Sequence, residues 1–252
     1  MNDLRKSASS ADGSYLLVER QKIVIAVDGP VASGKSTTAR QLARRLGYLY
    51  IDSGAMYRAV ALRALRAGSD LAEVGTIGAI ASDARIRLCE EDGRIRVLLD
   101  EEDVTEAIRS PEVAETSSRV AAIASVREAL IPRQREMGKD GGVVMDGRDI
   151  GAVVFPEAEL KVYLTASPET RARRRHAELR AKGAGISFRE TERQIRERDA
   201  RDLETQTLRS GGLRAQDVVV IDTTRLSIQE QVSTILSLAL DRGARPFGPA
   251  RT

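Results

Sequence analysis

The nine residues Gly29-Pro30-Val31-Ala32-Ser33-Gly34-Lys35-Ser36-Thr37 meet the spacing G-x-x-x-x-G-K-[S/T] at every fixed position. The two glycines permit backbone angles that turn the intervening N–H groups inward, and a helix starting behind them adds its positive end. A chain of phosphates is thereby wrapped in donors. Lys35 reaches for the β and γ phosphates, Ser36 is placed for Mg2+, and Thr37 offers a further donor from the first helical turn. The pattern indicates ATP or GTP. A GTP switch also needs a base-reading N-K-x-D element, and none follows a later strand. A phosphotransferase or an ATP-driven machine remains.

Two further segments could hold an acceptor. Asp52-Ser53-Gly54-Ala55-Met56-Tyr57-Arg58 follows a short strand from Tyr48 to Ile51, so its polar groups would emerge beside the phosphate loop. Val143-Val144-Met145 runs into Asp146-Gly147-Arg148-Asp149-Ile150-Gly151, an apolar strand ending in acids and an arginine, with glycines that let a ligand approach the backbone. Asp146 could hold a water on Mg2+, and Arg148 with Asp149 could engage a ligand that both donates and accepts. A surface ion pair at a strand end is the plainer alternative for this fragment.

Composition removes other chemistries. Among 252 residues, Cys89 is the only cysteine and His176 the only histidine, which excludes disulfide frameworks, cysteine clusters and multi-imidazole metal sites. A net charge of +3 from 40 basic and 37 acidic residues gives no strong overall field. Aromatic residues at 3 %, with no Trp, leave few platforms for stacking single-stranded nucleic acid. No apolar run approaches the roughly 18 to 20 residues of a membrane span, and a cytoplasmic protein without membrane or nucleic-acid partners is expected.

These side chains need elements to position them. Ile23 to Asp28 is a buried, β-branched strand, and Ala39, Leu42, Ala43 and Leu46 recur at helical spacing up to Gly47. Val143 to Asp146, Leu160 to Thr165 and Val218 to Asp222 repeat the buried-strand look, which together imply a parallel sheet. Arg85 to Leu88 and Arg94 to Leu98, joined through Asp92-Gly93, read as a hairpin belonging to an inserted unit. Ser167-Pro168-Glu169 starts a helix to about Lys182, and a second helical stretch runs from Phe188 to about Leu203. The pair lacks an apolar stripe, so it reads as a mobile flap. Residues 1–20 and the tail from Gly243 look poorly ordered. The expected class is α/β, a P-loop-type parallel sheet with helices on both faces, an inserted acceptor-binding subdomain and a helical lid.

Longer motifs resemble one family, the bacterial cytidylate kinases, from about Ile23 to Leu240. They are I-D-S-G-A-M-Y-R at Ile51 to Arg58, S-S-R-V-A-A-I-A-S-V-R-E-A-L at Ser117 to Leu130, D-G-R-D-I-G-A-V-V-F-P at Asp146 to Pro156 and E-R-D-A-R-D at Glu197 to Asp202. The resemblance implies a monomer converting CMP or dCMP with ATP and Mg2+. It implies a domain over 21–240, with its core at 21–52, 142–170 and 206–240, an acceptor-binding insert at 53–141, a lid at 171–205 and a flexible tail at 241–252. Ser53 and Arg58 would bind the acceptor, with Arg58 on its phosphate. Ser118, Arg127 and Asp149 would read cytosine, Asp202 would hold the ribose, and Arg171 and Arg174 would lie near the ATP phosphates. Catalytic work falls to Lys35, Arg148, Arg174 and Arg198, with Arg148 and Arg198 as anion clamps. The family pattern R-D-x-x-D-x-x-R ends here in Thr205, with Arg209 as candidate substitute. Another small-acceptor P-loop kinase and an RNA-associated protein using the lid arginines are the rival readings.

Overall fold

The computed structural model describes residues 22–91, 94–181, 183, 185–207 and 217–247. Its central sheet is built from β1 (Val24–Asp28), β2 (Leu49–Asp52), β6 (Val143–Gly147), β7 (Leu160–Thr165) and β8 (Val218–Asp222), in the order β2-β6-β1-β7-β8 and with every pair parallel. Residues of β6 are buried throughout, as the continuous apolar run requires of a strand covered on both faces. The register pairs Asp28 with Gly147 and Asp52 with Asp146, so three strands end level at one edge. That edge is where open α/β sheets bind ligands.

Helix α1 (Lys35–Leu46) buries Ala39, Leu42, Ala43 and Leu46 against the sheet, and Gly47 stops it in the left-handed region at φ 68°. α8 (Ile228–Asp241) packs beside it, started by a capping box of Ser227 and Glu230. A separate apolar cluster sits in the inserted unit. It joins α2 (Ser53–Arg66), α3 (Val74–Asp83), the antiparallel strands β3 (Ile86–Glu91) and β4 (Arg94–Leu99), α4 (Pro111–Val120) and α5 (Ala124–Gly138), while the short strand β5 (Glu102–Asp103) extends the sheet from β4. α6 (Pro168–Ala181) and α7 (Phe188–Thr207) form the helical hairpin, with Ser167 accepting from the Thr170 amide as the N-cap signal requires.

The tail expectation is corrected over 243–247. Ala244 is fully buried, the Phe247 amide donates to Leu46 at 2.7 Å, and the Phe247 ring lies 5.8 Å from that of Tyr48. Two apolar side chains with a surface to cover outweigh the Gly and Pro composition of the segment. Residues 1–20, 248–252 and Arg209 lie outside the described residues, and no helix among the described residues is long and apolar enough to cross a membrane.

Candidate active site

Residues 29–34 join β1 to α1 as a tight loop around the first turn of the helix. Gly29 has φ 150°, and a Cβ there would meet the Leu164 carbonyl oxygen at 2.1 Å, so only glycine lets the loop pass β7. Gly34, at φ 95°, sits at the N-cap of α1 and leaves the helix start open to an anion. Within the loop Pro30, Val31 and Ala32 are partly exposed, while Ser33 is fully buried with its hydroxyl unpartnered. Lys35 donates to the Pro30 carbonyl at 3.2 Å, folded back over the loop. Burial and the neighbouring Arg148 push its amine down to about 7. Thr37 is exposed, whereas the next residue, Thr38, is buried and donates to Gln231 of α8 at 2.7 Å.

Asp146, at the end of β6, gathers three neighbours. Its carboxylate accepts from Ser36 at 2.6 Å and from the Tyr50 hydroxyl at 2.9 Å, and its carbonyl accepts from Ser53 at 2.7 Å. Burial, reinforced by the charge of Asp52, raises its pKa to about 6. Ser36 and Asp146 present two hard oxygens beside the phosphate loop. No cluster of three or more potential ligands from His, Cys, Asp and Glu exists among the described residues. A two-oxygen set of this kind fits Mg2+, which keeps several waters and completes its shell with phosphate oxygens.

The loop after β6 runs into one wide π-helical turn, Ile150–Val154, a form frequent at functional sites. Asp28 fixes it from β1: its two carboxylate oxygens accept from the amides of Ile150 at 2.8 Å and Gly151 at 2.9 Å. Burial still raises the Asp28 pKa to about 7 against these two bonds. Asp149 then faces Arg127 of α5 in a buried ion pair, and Arg127 also donates to Tyr57 at 3.3 Å. Arg127, Asp149, Ser118, Ser53, Arg58 and Asp202 all line one cavity of about 130 Å3, which reaches Lys35 and Ser36. Arg58 pairs with Asp52, itself the cap of α2, at 2.7 Å.

The hairpin closes this side. Arg148 donates to the Gly29 carbonyl and pairs with Asp202 of α7 at 3.1 Å. Arg198 lines the small cavity and also a neighbouring cleft of about 570 Å3 between α4 and the hairpin. Burial, with Arg148 close by, lowers its pKa to about 10. Arg171 is buried and holds Asp199 through two bonds of 3.1 and 2.7 Å, while also donating to the loop carbonyl of Val31 at 3.4 Å. Arg174 turns elsewhere: it donates to the side chain and carbonyl of Thr223, whose hydroxyl in turn donates to Ser33. In this structure Arg174 thus reaches the phosphate loop only through Thr223.

Several site residues escaped the sequence reading. Tyr50, Asp28, Thr223 and Gln134 act from positions far away in the chain, and none carries a motif of its own. The alternation of Tyr48 and Tyr50 with Leu49 was the only signal that one strand presented hydroxyls to a buried face.

A phosphate loop and an acid-lined cavity sharing the carboxyl edge of a five-stranded parallel sheet, under an arginine-bearing helical hairpin, define a P-loop kinase. The family model described as cytidylate kinase matches residues 25–240. This chain is 49 % identical over 216 residues to the cytidylate kinase of Pelotomaculum thermopropionicum, covering 84 % of this chain and 94 % of that one. It is 45 % identical over 222 residues to that of Syntrophotalea carbinolica, covering 88 % and 94 %. The chain belongs to the cytidylate kinase family. Among solved structures, an uncharacterized protein from Eubacterium ventriosum aligns at 14 % identity with a TM-score of 0.50, covering 88 % of this chain and 99 % of that one, a likeness of fold alone.

Proposed function

We propose that the protein transfers the γ-phosphoryl group of ATP to CMP or dCMP, giving ADP and CDP or dCDP, as a cytoplasmic monomer. The observation that carries this reading is the meeting of Lys35 and Ser36 with Arg127 and Asp149 around one cavity. The loop holds a triphosphate at one end, and the buried Arg127–Asp149 pair offers donors and an acceptor to a base at the other. Cytosine presents the complementary set. A site built on such groups rejects an analogue that leaves them unpaired by up to about 10⁴ to 10⁵. The two relatives described above, both cytidylate kinases in name, do not favour a different small acceptor.

The acceptor phosphate is already a nucleophile near neutral pH, so the protein has to align it and neutralise charge as the phosphoryl group moves. Arg58 would hold the acceptor phosphate, Arg148 and Arg198 would clamp the transferring group, and Asp202 would take the ribose hydroxyl. Lys35 would lie along the β and γ oxygens. Arg171 would approach the donor phosphates from Val31, and Arg174 would support the loop through Thr223. Ser36 and Asp146 would hold Mg2+, which supplies charge neutralisation to the donor phosphates when bound. Excluding water under the hairpin favours transfer over hydrolysis. The test is a substrate panel with ATP and Mg2+: CMP and dCMP turn over at least a hundredfold faster than UMP, AMP or GMP. Equal rates on UMP would overturn the base assignment.

A further inference from the structure

Six side chains of the described residues bury a polar atom with neither a hydrogen-bond nor an ion-pair partner: Ser33, Arg58, Ser118, Gln134, Arg198 and Arg201. Such atoms are rare in native proteins because each forfeits its solvation without gaining a bond. All six lie in the phosphate loop or line the two neighbouring cavities. Elsewhere buried polar groups are paired: Gln231 accepts from Thr38 and donates to Leu226, and Thr223 bridges Ser33 and Thr165. Unmet bonding in this protein therefore coincides with surfaces made for a ligand.

Gln134 stands out because no motif singled it out. It is 1 % exposed, and its Nε2 has no partner. It lies on α5 two turns after Arg127, so both side chains leave the same helix face and both line the 130 Å3 cavity. We propose that Gln134 is a binding residue for the acceptor nucleotide, its side-chain amide donating to the pyrimidine base held between Arg127 and Asp149. A primary amide suits this place. It adds a donor to those that the Arg127–Asp149 pair presents, and it adds no charge to a cavity already holding Arg58, Arg127 and Arg148.

This inference rests on the kinase reading above, and the experiment separates the two. Gln134→Met keeps the volume and removes the donor. The expected result is a KM for CMP raised about tenfold with kcat within about twofold, as for a contact made equally in the ground and transition states. The thermal midpoint of the free variant stays at or above the wild-type value, because an unpaired buried N–H has been removed. A role confined to packing would lower that midpoint and leave KM in place, and an unchanged KM for CMP overturns the proposal. Should Gln134→Met fail to fold, the wild-type protein decides. The Gln134 side-chain amide resonance shifts on saturation with CMP, and a resonance that stays put overturns the assignment. Wild-type protein that neither binds nor phosphorylates CMP would instead sink the kinase reading itself.

Discussion

Lys35 is the group whose charge must change most when a nucleotide arrives. Burial removes its ammonium from water and Arg148 adds a like charge, and these outweigh the attraction of Asp146, leaving a pKa of about 7. At pH 8 such an amine is about one-tenth protonated. A triphosphate laid along the loop places several negative charges within reach and restores the ammonium, so ATP binding at pH 8 takes up about 0.9 proton at this residue. A phosphate's second ionisation, near pH 6, is complete there, and Asp28 and Asp146, at about 7 and about 6, are mostly ionised. The sign follows: the bound form is the protonated one, so affinity falls as pH rises above about 7. One pKa unit corresponds to about 1.4 kcal/mol, so the ATP dissociation constant weakens nearly tenfold from pH 8 to pH 9. Titration calorimetry at pH 8 in buffers of different ionisation enthalpy reads the uptake directly as a slope. Lys35→Met, which cannot take a proton, shows a slope near zero together with lost turnover. A zero slope in the wild type, or an equal slope in the variant, would refute the reasoning.

Two substitutions test the supports of the acceptor site. Asp28→Asn faces two amide donors with one acceptor and one NH2, losing an accepted hydrogen bond of about 0.5–1.5 kcal/mol and displacing Ile150 and Gly151. Because burial lifts the folded Asp28 pKa to about 7 from the ordinary carboxylate value of 3.8, its contribution is fully present below about 3.8 and is lost as pH rises through 7. The wild-type lead over Asp28→Asn is therefore larger at pH 5 than at pH 8 in urea denaturation, and a gap independent of pH would contradict the burial argument. Asp149→Ala leaves the Arg127 guanidinium buried beside Tyr57 alone. It lowers stability by about 3 kcal/mol and erodes the preference for CMP over UMP. Adding Arg127→Met recovers stability but not preference, and a single variant as stable and selective as wild type would show that the pair does not read the base.

What could be read from the sequence was whatever local backbone geometry demands. Gly29 and Gly34 are fixed by a loop that no side chain permits, so the loop was legible at its spacing alone. The β3–β4 pairing and the Ser167-Pro168 helix start were legible for the same reason, since short-range rules of turn and cap govern them, although Asp92 and Gly93 themselves lie outside the described residues. Contacts set by register were not. Asp28 meets Ile150 122 residues away, and Tyr50 meets Asp146 96 residues away, only because β1, β6 and β2 end level. The tail misled because composition counts Gly and Pro without seeing that Ala244 and Phe247 have a groove to fill. Arg174 could not be assigned by motif within Arg173-Arg174-Arg175, since a run of like residues fixes no single direction, and its partner Thr223 lies 49 residues on.

The two ion pairs around the acceptor cavity differ in exposure, and that difference assigns them different duties. Arg127 and Asp149 have side chains only 9 % and 13 % exposed. Parting them would strand a buried charge at about 3–5 kcal/mol, so this pair stays together and presents a fixed edge to a base. Arg148 and Asp202 are 23 % and 22 % exposed, nearer the regime where a pair contributes about 0–1 kcal/mol. A phosphate oxygen is a stronger partner for a guanidinium than the Gly29 carbonyl, and it can take Arg148 from Asp202 at small cost. On the proposed assignment, that exchange would free the Asp202 carboxylate for a hydroxyl as Arg148 turns to the transferring group. The buried pair would then set which nucleotide enters, while the partly exposed pair would respond once it has.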